Sequence, residues 1–198
     1  MRRSLPPVLL FALALALSAA PAPAQHPRAW GVKAGPTVSS IHTELPSEDA
    51  QRRRGYAALL FGEWAGSGLL SLVAEAGYVE RGYTRDATVG PGDPVSRRLD
   101  RRFQYVSLAA LSKARVGTLG PMSTYVVAGP RMNALVGSSR GEGVPGSVVW
   151  EASAGAGAEG RHAVVEVRYN RGLNNAMRAP WTQPAYHHAV DFVLGWKF

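Results

Sequence analysis

The chain ends in a stretch whose side chains alternate in character. Every second residue from Val190 to Phe198 is apolar or aromatic, whereas the positions between them include an aspartate, a glycine and a lysine. A period of two predicts a β-strand with two different faces. Aromatic residues at the end of an apolar face are typical of strands that meet a membrane interface. Such a strand requires a closed barrel, because an open sheet edge in lipid leaves backbone groups without hydrogen-bond partners.

The start of the chain matches the pattern of a secretory signal peptide. Two arginines follow the first methionine, an apolar run extends from Val8 to Ala20, and residues 22–24 read Ala-Pro-Ala, a small-x-small cleavage site. The apolar run is shorter than the ~20 residues that a membrane-spanning helix needs, which makes an anchor the weaker interpretation. We therefore expect residues 1–24 to be a signal peptide and residues 25–198 to form one domain.

The charge and the cysteine content restrict the class of protein. The chain has 22 Lys and Arg against 14 Asp and Glu, a formal net charge of +8, and no cysteine. Without cysteine there is no disulfide framework and no thiolate metal site. A basic balance is compatible with nucleic-acid binding, but the arginines lie in predicted loops rather than along one face, and the chain is predicted to be exported. We therefore expect no nucleic-acid partner, and we predict no cofactor and no metal.

Eight segments of the predicted domain alternate in the same way. They lie near residues 29–39, 56–64, 70–83, 103–114, 124–136, 148–158, 163–173 and 186–198. Their lengths approach or exceed the ~9–11 residues of a tilted membrane-spanning strand. Short connections, near 66–68, 115–122 and 159–162, alternate with long ones, near 40–55, 84–102, 137–147 and 172–185. The sequence therefore predicts an all-β fold, an eight-stranded antiparallel up-and-down transmembrane β-barrel with its long loops outside.

A soluble lipocalin-like or avidin-like barrel is the alternative fold, and it reverses the distribution of side chains. Its interior is apolar and its exterior is polar. Here the polar face is rich in glycine and carries opposed charges, which suits a narrow filled interior. The apolar face ends in tryptophan or tyrosine on several strands, as an aromatic girdle does. Both features favour the membrane barrel.

With the strands assigned, the chain resembles the PorT-like family of small outer-membrane β-barrels. The resemblance lies in GVKAGPTVSSI at 31–41, LSLVAEAGYVERGY at 70–83, YVSLAALSKA at 105–114, YVVAGPRM at 125–132, VEVRYNRGLNN at 165–175 and the terminal FVLGWKF. It implies an outer-membrane location and eight strands, but no particular activity. The ending resembles the sorting signal of such barrels, which implies the barrel-assembly machinery and outer-membrane lipid as partners. The signal residues are Phe192, Leu194, Trp196 and Phe198.

The interior face of the predicted barrel carries charges of both signs. We expect six of them to form an interior network: Lys33, Glu63, Glu75, Lys113, Glu166 and Lys197. An eight-stranded barrel is just wide enough for its side chains to fill it. Charges buried at that radius must be paired or hydrogen-bonded. The favoured interpretation is a salt-bridged plug, and the alternative is a gated ion or proton path.

Two further groups of residues could carry function. Seven arginines close the first two long loops and could bind the phosphates of outer-leaflet glycolipid, although solvated loop residues are the simpler interpretation: Arg52, Arg53, Arg54, Arg97, Arg98, Arg101 and Arg102. His187 and His188 are the only adjacent histidines. Because adjacent strand residues point to opposite faces, they cannot easily share a metal ion, and we expect an exposed pair at the rim.

These observations favour a non-enzymatic protein of the cell envelope. We expect a structural or surface-interaction scaffold, whose external loops select a partner that the sequence does not identify. The alternatives are a narrow channel for small solutes and, with less support, a lipid-modifying enzyme, since a hydrolytic site needs a nucleophile beside a base and an orienting acid.

Overall fold

Eight strands form nearly all of the described chain. The computed structural model describes residues 27–43, 51–65, 69–88, 96–139, 146–175 and 185–198. The strands are β1 (Ala29–Thr43), β2 (Gln51–Ala65), β3 (Leu70–Thr88), β4 (Ser96–Leu119), β5 (Met122–Ser138), β6 (Val148–Glu159), β7 (Ala163–Gly172) and β8 (Ala185–Lys197). The predicted signal peptide lies outside the described residues and stays a prediction. Within the described ranges, no helix is long and apolar enough to cross a bilayer.

The strands pair antiparallel in chain order, and the sheet closes on itself. β1 pairs with β2 on one side and with β8 on the other. The closing register places Gly31 opposite Lys197 and Thr37 opposite Asp191. This seam is tight at Gly35, where a Cβ would lie 1.9 Å from the carbonyl oxygen of Phe192, so glycine lets the two strands approach. The predicted eight-stranded antiparallel barrel is confirmed.

The barrel is apolar outside and charged inside. On β7, Val165 is 45% exposed, whereas its neighbour Glu166 and the next inward residue, Arg168, are each 1% exposed. Burial alternates along the whole of this strand. An apolar outer surface and a polar interior are the distribution of a membrane barrel, and a soluble barrel has the reverse. The alternative of a soluble barrel is therefore wrong.

Aromatic side chains mark both ends of the apolar outer surface. We call the end where β1 begins and β8 ends the terminal end, and the opposite end the loop end. Trp30, Trp196 and Phe198 lie at the terminal end, and Tyr56, Trp150 and Tyr169 at the loop end, all pointing outward and roughly half exposed. Aromatic girdles of this kind sit at the two water interfaces of a bilayer. They fix the depth at which the barrel lies in the membrane.

The β3–β4 hairpin is longer than the sequence predicts. β3 continues to Thr88 and β4 begins at Ser96, and these two residues are paired. Most of the predicted loop at 84–102 is therefore strand, and this prediction is wrong. Alternation is lost there because a ribbon beyond the membrane has no lipid-facing side, so neither face needs to be apolar.

The predicted loop at 40–55 is shorter, because β1 continues to Thr43 and β2 begins at Gln51. β5 ends at Ser138 and β6 begins at Val148, while β7 ends at Gly172 and β8 begins at Ala185, so these strand ends lie within two residues of the bounds predicted for the connections near 137–147 and 172–185.

The short connection predicted at 115–122 is wrong: β4 and β5 stay paired as far as Leu119 and Met122, so only residues 120 and 121 lie between the strands. The turn predicted near 159–162 agrees with the end of β6 at Glu159 and the start of β7 at Ala163. The turn predicted at 66–68 lies outside the described residues. At the terminal end, β4 and β5 are joined by a tight turn in which Gly120 has a φ of 58°. A positive φ favours glycine, which has no Cβ to clash.

Candidate functional site

Ionisable side chains fill the middle of the barrel. They come from six strands, and we call them the central cluster: Lys33, Glu75, Arg81, Arg131, Glu151, Glu166, Arg168 and Asp191, all buried. Strand alternation places each of them in the lumen, since every second residue points inward. The cluster holds four cations and four anions, so its formal charges cancel.

Glu75 lies at the centre of one half of this cluster. Lys33 Nζ and Arg168 Nη2 each donate to Glu75 Oε1 over 2.9 Å, and Arg131 Nη2 lies 3.5 Å from Oε2. Lys33 Nζ also donates to Glu166 Oε2 over 2.9 Å, and Arg168 contacts the other oxygen of Glu166. Each carboxylate is thus shared between two or more cations from different strands.

Asp191 organises the other half. Arg81 contacts both of its carboxylate oxygens, and Arg131 Nη1 donates to Oδ2 over 3.0 Å. The Asn170 amide also donates to Oδ2, over 2.8 Å. Arg81 Nη2 lies 3.7 Å from Glu151 Oε2, which links β6 to the same set of charges. Because burying an unpaired charge costs several kcal/mol, this pairing makes the charged lumen possible.

A second group of charges closes the terminal end. This terminal cluster consists of Glu63, Lys113, Arg115, Glu159 and Lys197. Lys113 Nζ lies 2.7 Å from both Glu63 Oε2 and Glu159 Oε2. Arg115 Nη2 lies 2.7 Å from Glu63 Oε1, and Lys197 Nζ lies 3.0 Å from Glu159 Oε2. The Arg115 and Lys197 side chains are 27% and 14% exposed, so the cluster meets water at this end.

Apolar side chains separate the two clusters. Phe61, Val73, Leu111, Val127 and Val164 belong to this layer. Lys33 Nζ lies 4.8 Å above the Phe61 ring, and Lys113 Nζ lies 4.5 Å above the ring of Tyr125. The space left here is about 10 Å³, barely enough for one water. The lumen is therefore packed between its two charged clusters.

A further apolar layer lies above the central cluster, toward the loop end. It contains Ile41, Tyr83, Phe103, Tyr105 and Val149. The His187 ring packs edge-on against two of these rings, with centroids 5.8 Å from Phe103 and 6.3 Å from Tyr105. This layer separates the central cluster from the water at the loop end.

The two adjacent histidines do not form an exposed pair. His187 is 1% exposed and points into the lumen, so the expectation of an exposed rim residue is wrong for it. The reason is that the aromatic layer extends inside the barrel as far as β8. His188 points outward, and its Nδ1 lies 2.6 Å from the Tyr169 hydroxyl. Within the described ranges, no group of three or more His, Cys, Asp or Glu is placed to hold a metal ion.

The structure places all six predicted network residues in the lumen, and each faces an oppositely charged partner. Lys33, Glu75 and Glu166 belong to the central cluster, while Glu63, Lys113 and Lys197 belong to the terminal cluster. Among the described residues, the two clusters contain seven further charges that the predicted network does not include: Arg81, Arg115, Arg131, Glu151, Glu159, Arg168 and Asp191. Each of these residues lies at an inward position of its alternating strand, and that position is the sequence signal that identifies it as an interior charge.

The predicted rim of seven arginines is divided by the structure. Arg52, Arg53 and Arg54 lie in β2, and Arg97, Arg98, Arg101 and Arg102 lie in β4, rather than in loops. Arg52, Arg54 and Arg102 are exposed, whereas Arg53 and Arg101 are buried. Arg53 donates to Glu80 over 2.8 Å and to Asp100 over 2.6 Å. The side chains of Arg97 and Arg98 lie outside the described residues, and phosphate binding by this rim stays a prediction.

The residues of the predicted sorting signal lie on one face of β8. Phe192, Leu194, Trp196 and Phe198 all point to the outside of the barrel. Phe198 stacks on Trp30 with ring centroids 4.5 Å apart, and its N–H donates to the Trp30 carbonyl over 2.9 Å. The end of the chain is thus held against the first strand, and recognition of this ending by the assembly machinery stays a prediction.

Comparison with known proteins shows the fold alone. No family model and no curated protein sequence matches the chain. OprG from Pseudomonas aeruginosa is 13% identical, with a TM-score of 0.51 over 88% of this chain and 97% of that one. Neisserial surface protein A is 12% identical, with a TM-score of 0.49 over 85% and 97%. Ail of Yersinia pestis is 15% identical, with a TM-score of 0.48 over 86% and 98%. With its apolar exterior and charged lumen, the chain is a small eight-stranded β-barrel of the outer membrane.

Proposed function

We propose that this protein is a non-enzymatic scaffold of the outer membrane that presents its loop end to a surface partner. The packed lumen is the observation that carries the proposal. Two charged clusters and two apolar layers alternate along the described interior, and the space between the clusters is about 10 Å³. A narrow channel would require the central cluster to separate, at a cost of several kcal/mol for each uncompensated charge. Contact through the loop end requires no such change.

The β3–β4 hairpin is the part of the loop end that extends furthest in the described chain. The register of β2 with β3 ends where Gln51 meets Thr84, whereas β3 and β4 remain paired as far as Thr88 and Ser96. Beyond Thr84, no third strand of the described residues pairs with this hairpin, which makes it a two-stranded ribbon with two edges. Strand edges pair readily with strands of other proteins, so this ribbon suits a partner that adds a strand.

A non-enzymatic role also agrees with the placement of the histidines. His187 is enclosed by aromatic rings in the lumen, whereas His188 faces outward beside Tyr169. They cannot act together on one lipid, because they point to opposite sides of the barrel wall.

We also place the chain among the PorT-like barrels, a proposal that rests on the sequence segments described above.

Shortening the ribbon is expected to remove partner binding and to leave the barrel intact. Residues 85–99 would be replaced by Asn-Gly, which closes a two-residue hairpin between the paired residues Thr84 and Asp100. Chemical cross-linking on intact cells would then compare the partners of wild type and variant. We expect cross-linked products of the wild type to disappear, with unchanged heat-modifiable migration of the barrel.

The matched control is a similar shortening within residues 176–184 of the connection between β7 and β8, which leaves the hydrogen bonds of Leu173 and Asn174 to β6 in place and should keep the products. If the ribbon variant gives the same cross-linked products as the wild type, the ribbon is not the binding element and this proposal fails.

A further inference from the structure

A groove of about 520 Å³ lies on the lipid-facing surface of β2–β6. Its floor includes three small residues on neighbouring strands, Gly62, Ala74 and Ala110, with Ala74 paired to both of the others. Leu60 and Trp150 rise beside this floor and are 60% and 47% exposed. Because the groove faces the bilayer and its surface is apolar, hydrocarbon is the material that fills it.

The groove crosses the apolar band obliquely. One register row follows it, through Leu60, Ala76, Leu108, Met132 and Trp150. This row is oblique because barrel strands tilt by about 35–45°. Trp150 belongs to the loop-end girdle and marks one end of the groove. At the other end of the groove, the Trp64 ring lies 2.8 Å from the position that a Cβ on Gly62 would take. Four interstrand spacings give a length of about 19 Å. The groove therefore starts at the membrane surface and ends within the apolar band.

A cation and an amide lie at the surface end of the groove. Arg171 is exposed on β7 opposite Ala152, which makes it a diagonal neighbour of Trp150. The Asn174 side chain accepts a hydrogen bond from the Trp150 N–H over 2.7 Å and is partly exposed. A guanidinium at the interface matches the geometry of a phosphate. Charge complementarity thus selects an anionic headgroup at the end where a headgroup would lie.

We propose that this groove binds one acyl chain of a phosphorylated outer-leaflet lipid, whose phosphate is held by Arg171. The chain lies along the small residues from Trp150 toward Gly62, and the headgroup stays at the loop-end interface. The inference goes beyond the scaffold role and does not depend on the β3–β4 ribbon. A lipid bound at this position would contact the part of the barrel wall that lies directly below the loop end.

Native mass spectrometry of the full barrel in detergent tests the proposal with three probes. Dimyristoyl phosphatidate carries both chemical features, dimyristoylglycerol carries only the chains, and glycerol phosphate carries only the phosphate. We expect clear retention of phosphatidate alone. Arg171→Gln should lower its retention about fivefold, the equivalent of ~1 kcal/mol per arginine near an anionic membrane surface. Ala110→Leu, which fills the floor, should lower it at least as much.

Two matched variants separate the groove from general effects on the surface. Arg161→Gln removes an exposed arginine at the terminal end, and Ala156→Leu enlarges a lipid-facing alanine outside the groove; both should retain phosphatidate as the wild type does. Heat-modifiable migration would show that all variants fold. Equal retention of phosphatidate and dimyristoylglycerol, or wild-type retention by Arg171→Gln or Ala110→Leu, would overturn the proposal. So would a protein dimer that Ala110→Leu dissociates, since a second copy would then occupy the groove.

Discussion

Replacing Glu75 and Glu166 together with glutamine is expected to lower the thermal unfolding midpoint of the barrel in detergent sharply. The central cluster would then hold four cations and two anions. Lys33 would lose both of its carboxylate partners, each 2.9 Å away, and Arg168 would lose two as well. Leaving one buried charge without its partner costs about 3–5 kcal/mol. Salt should not restore the midpoint, because buried charges are poorly screened.

Two further variants distinguish charge imbalance from a general packing defect. Glu166→Gln alone should destabilise the barrel, and adding Lys33→Met should recover part of the loss, since three cations and three anions then remain. Asp100→Asn, at a carboxylate that is 59% exposed, should change the midpoint little, because exposed ion pairs contribute about 0–1 kcal/mol. An unchanged midpoint in the Glu75→Gln, Glu166→Gln variant would show that these carboxylates are not needed to balance the lumen.

Replacing Trp196 and Phe198 with serine is expected to prevent insertion into the outer membrane. Phe198 stacks on Trp30, and Trp196 stacks on His162 with ring centroids 5.3 Å apart. The Phe198 contact lies at the seam between β1 and β8, and the Trp196 contact holds the end of β8 against the turn before β7. Without closure the edges of β1 and β8 would be unpaired in lipid, which is too costly for a spanning sheet. Membrane fractionation should show loss of most heat-modifiable protein, with the remainder degraded or periplasmic.

The matched control for this variant is Trp150→Ser. Trp150 also faces lipid, at 47% exposure, but it lies on β6 and away from the seam. It should insert nearly as well as the wild type. Normal insertion of the Trp196→Ser, Phe198→Ser variant would show that the end of the chain is not the sorting signal, and equal loss in both variants would mean that any lipid-facing tryptophan is required.

The barrel itself could be predicted from the sequence because lipid and lumen impose a period of two. Along β7, Val165 and Val167 alternate with Glu166 and Arg168, and burial follows the same pattern. Because alternate residues of a strand point to the lipid and to the lumen, the side of the barrel wall that each residue faces can be assigned without knowing which residues lie near it in space. This is why the inward direction of the six predicted network charges could be read from the sequence.

The pairing of those charges could not be predicted in the same way. Lys33 and Glu166 are 133 positions apart, and their contact depends on how the closed sheet brings β1 and β7 across the lumen. The β3–β4 ribbon cannot be predicted from alternation, because strands outside the membrane have no lipid-facing side and need no period of two. The sequence places Arg53 in a loop, whereas in the structure it lies within β2 and its buried side chain donates to Glu80 and Asp100.

Recording ionic current through the purified protein in planar bilayers tests the central claim most directly. Paired charges and apolar layers seal the lumen, so the barrel acts through its surface rather than as a pore. An open porin reconstituted by the same procedure provides the positive control. The wild type is predicted to give no stable current steps under conditions in which the porin conducts. Reproducible steps from the wild type, at a frequency that rises with the amount of inserted protein, would contradict the sealed barrel.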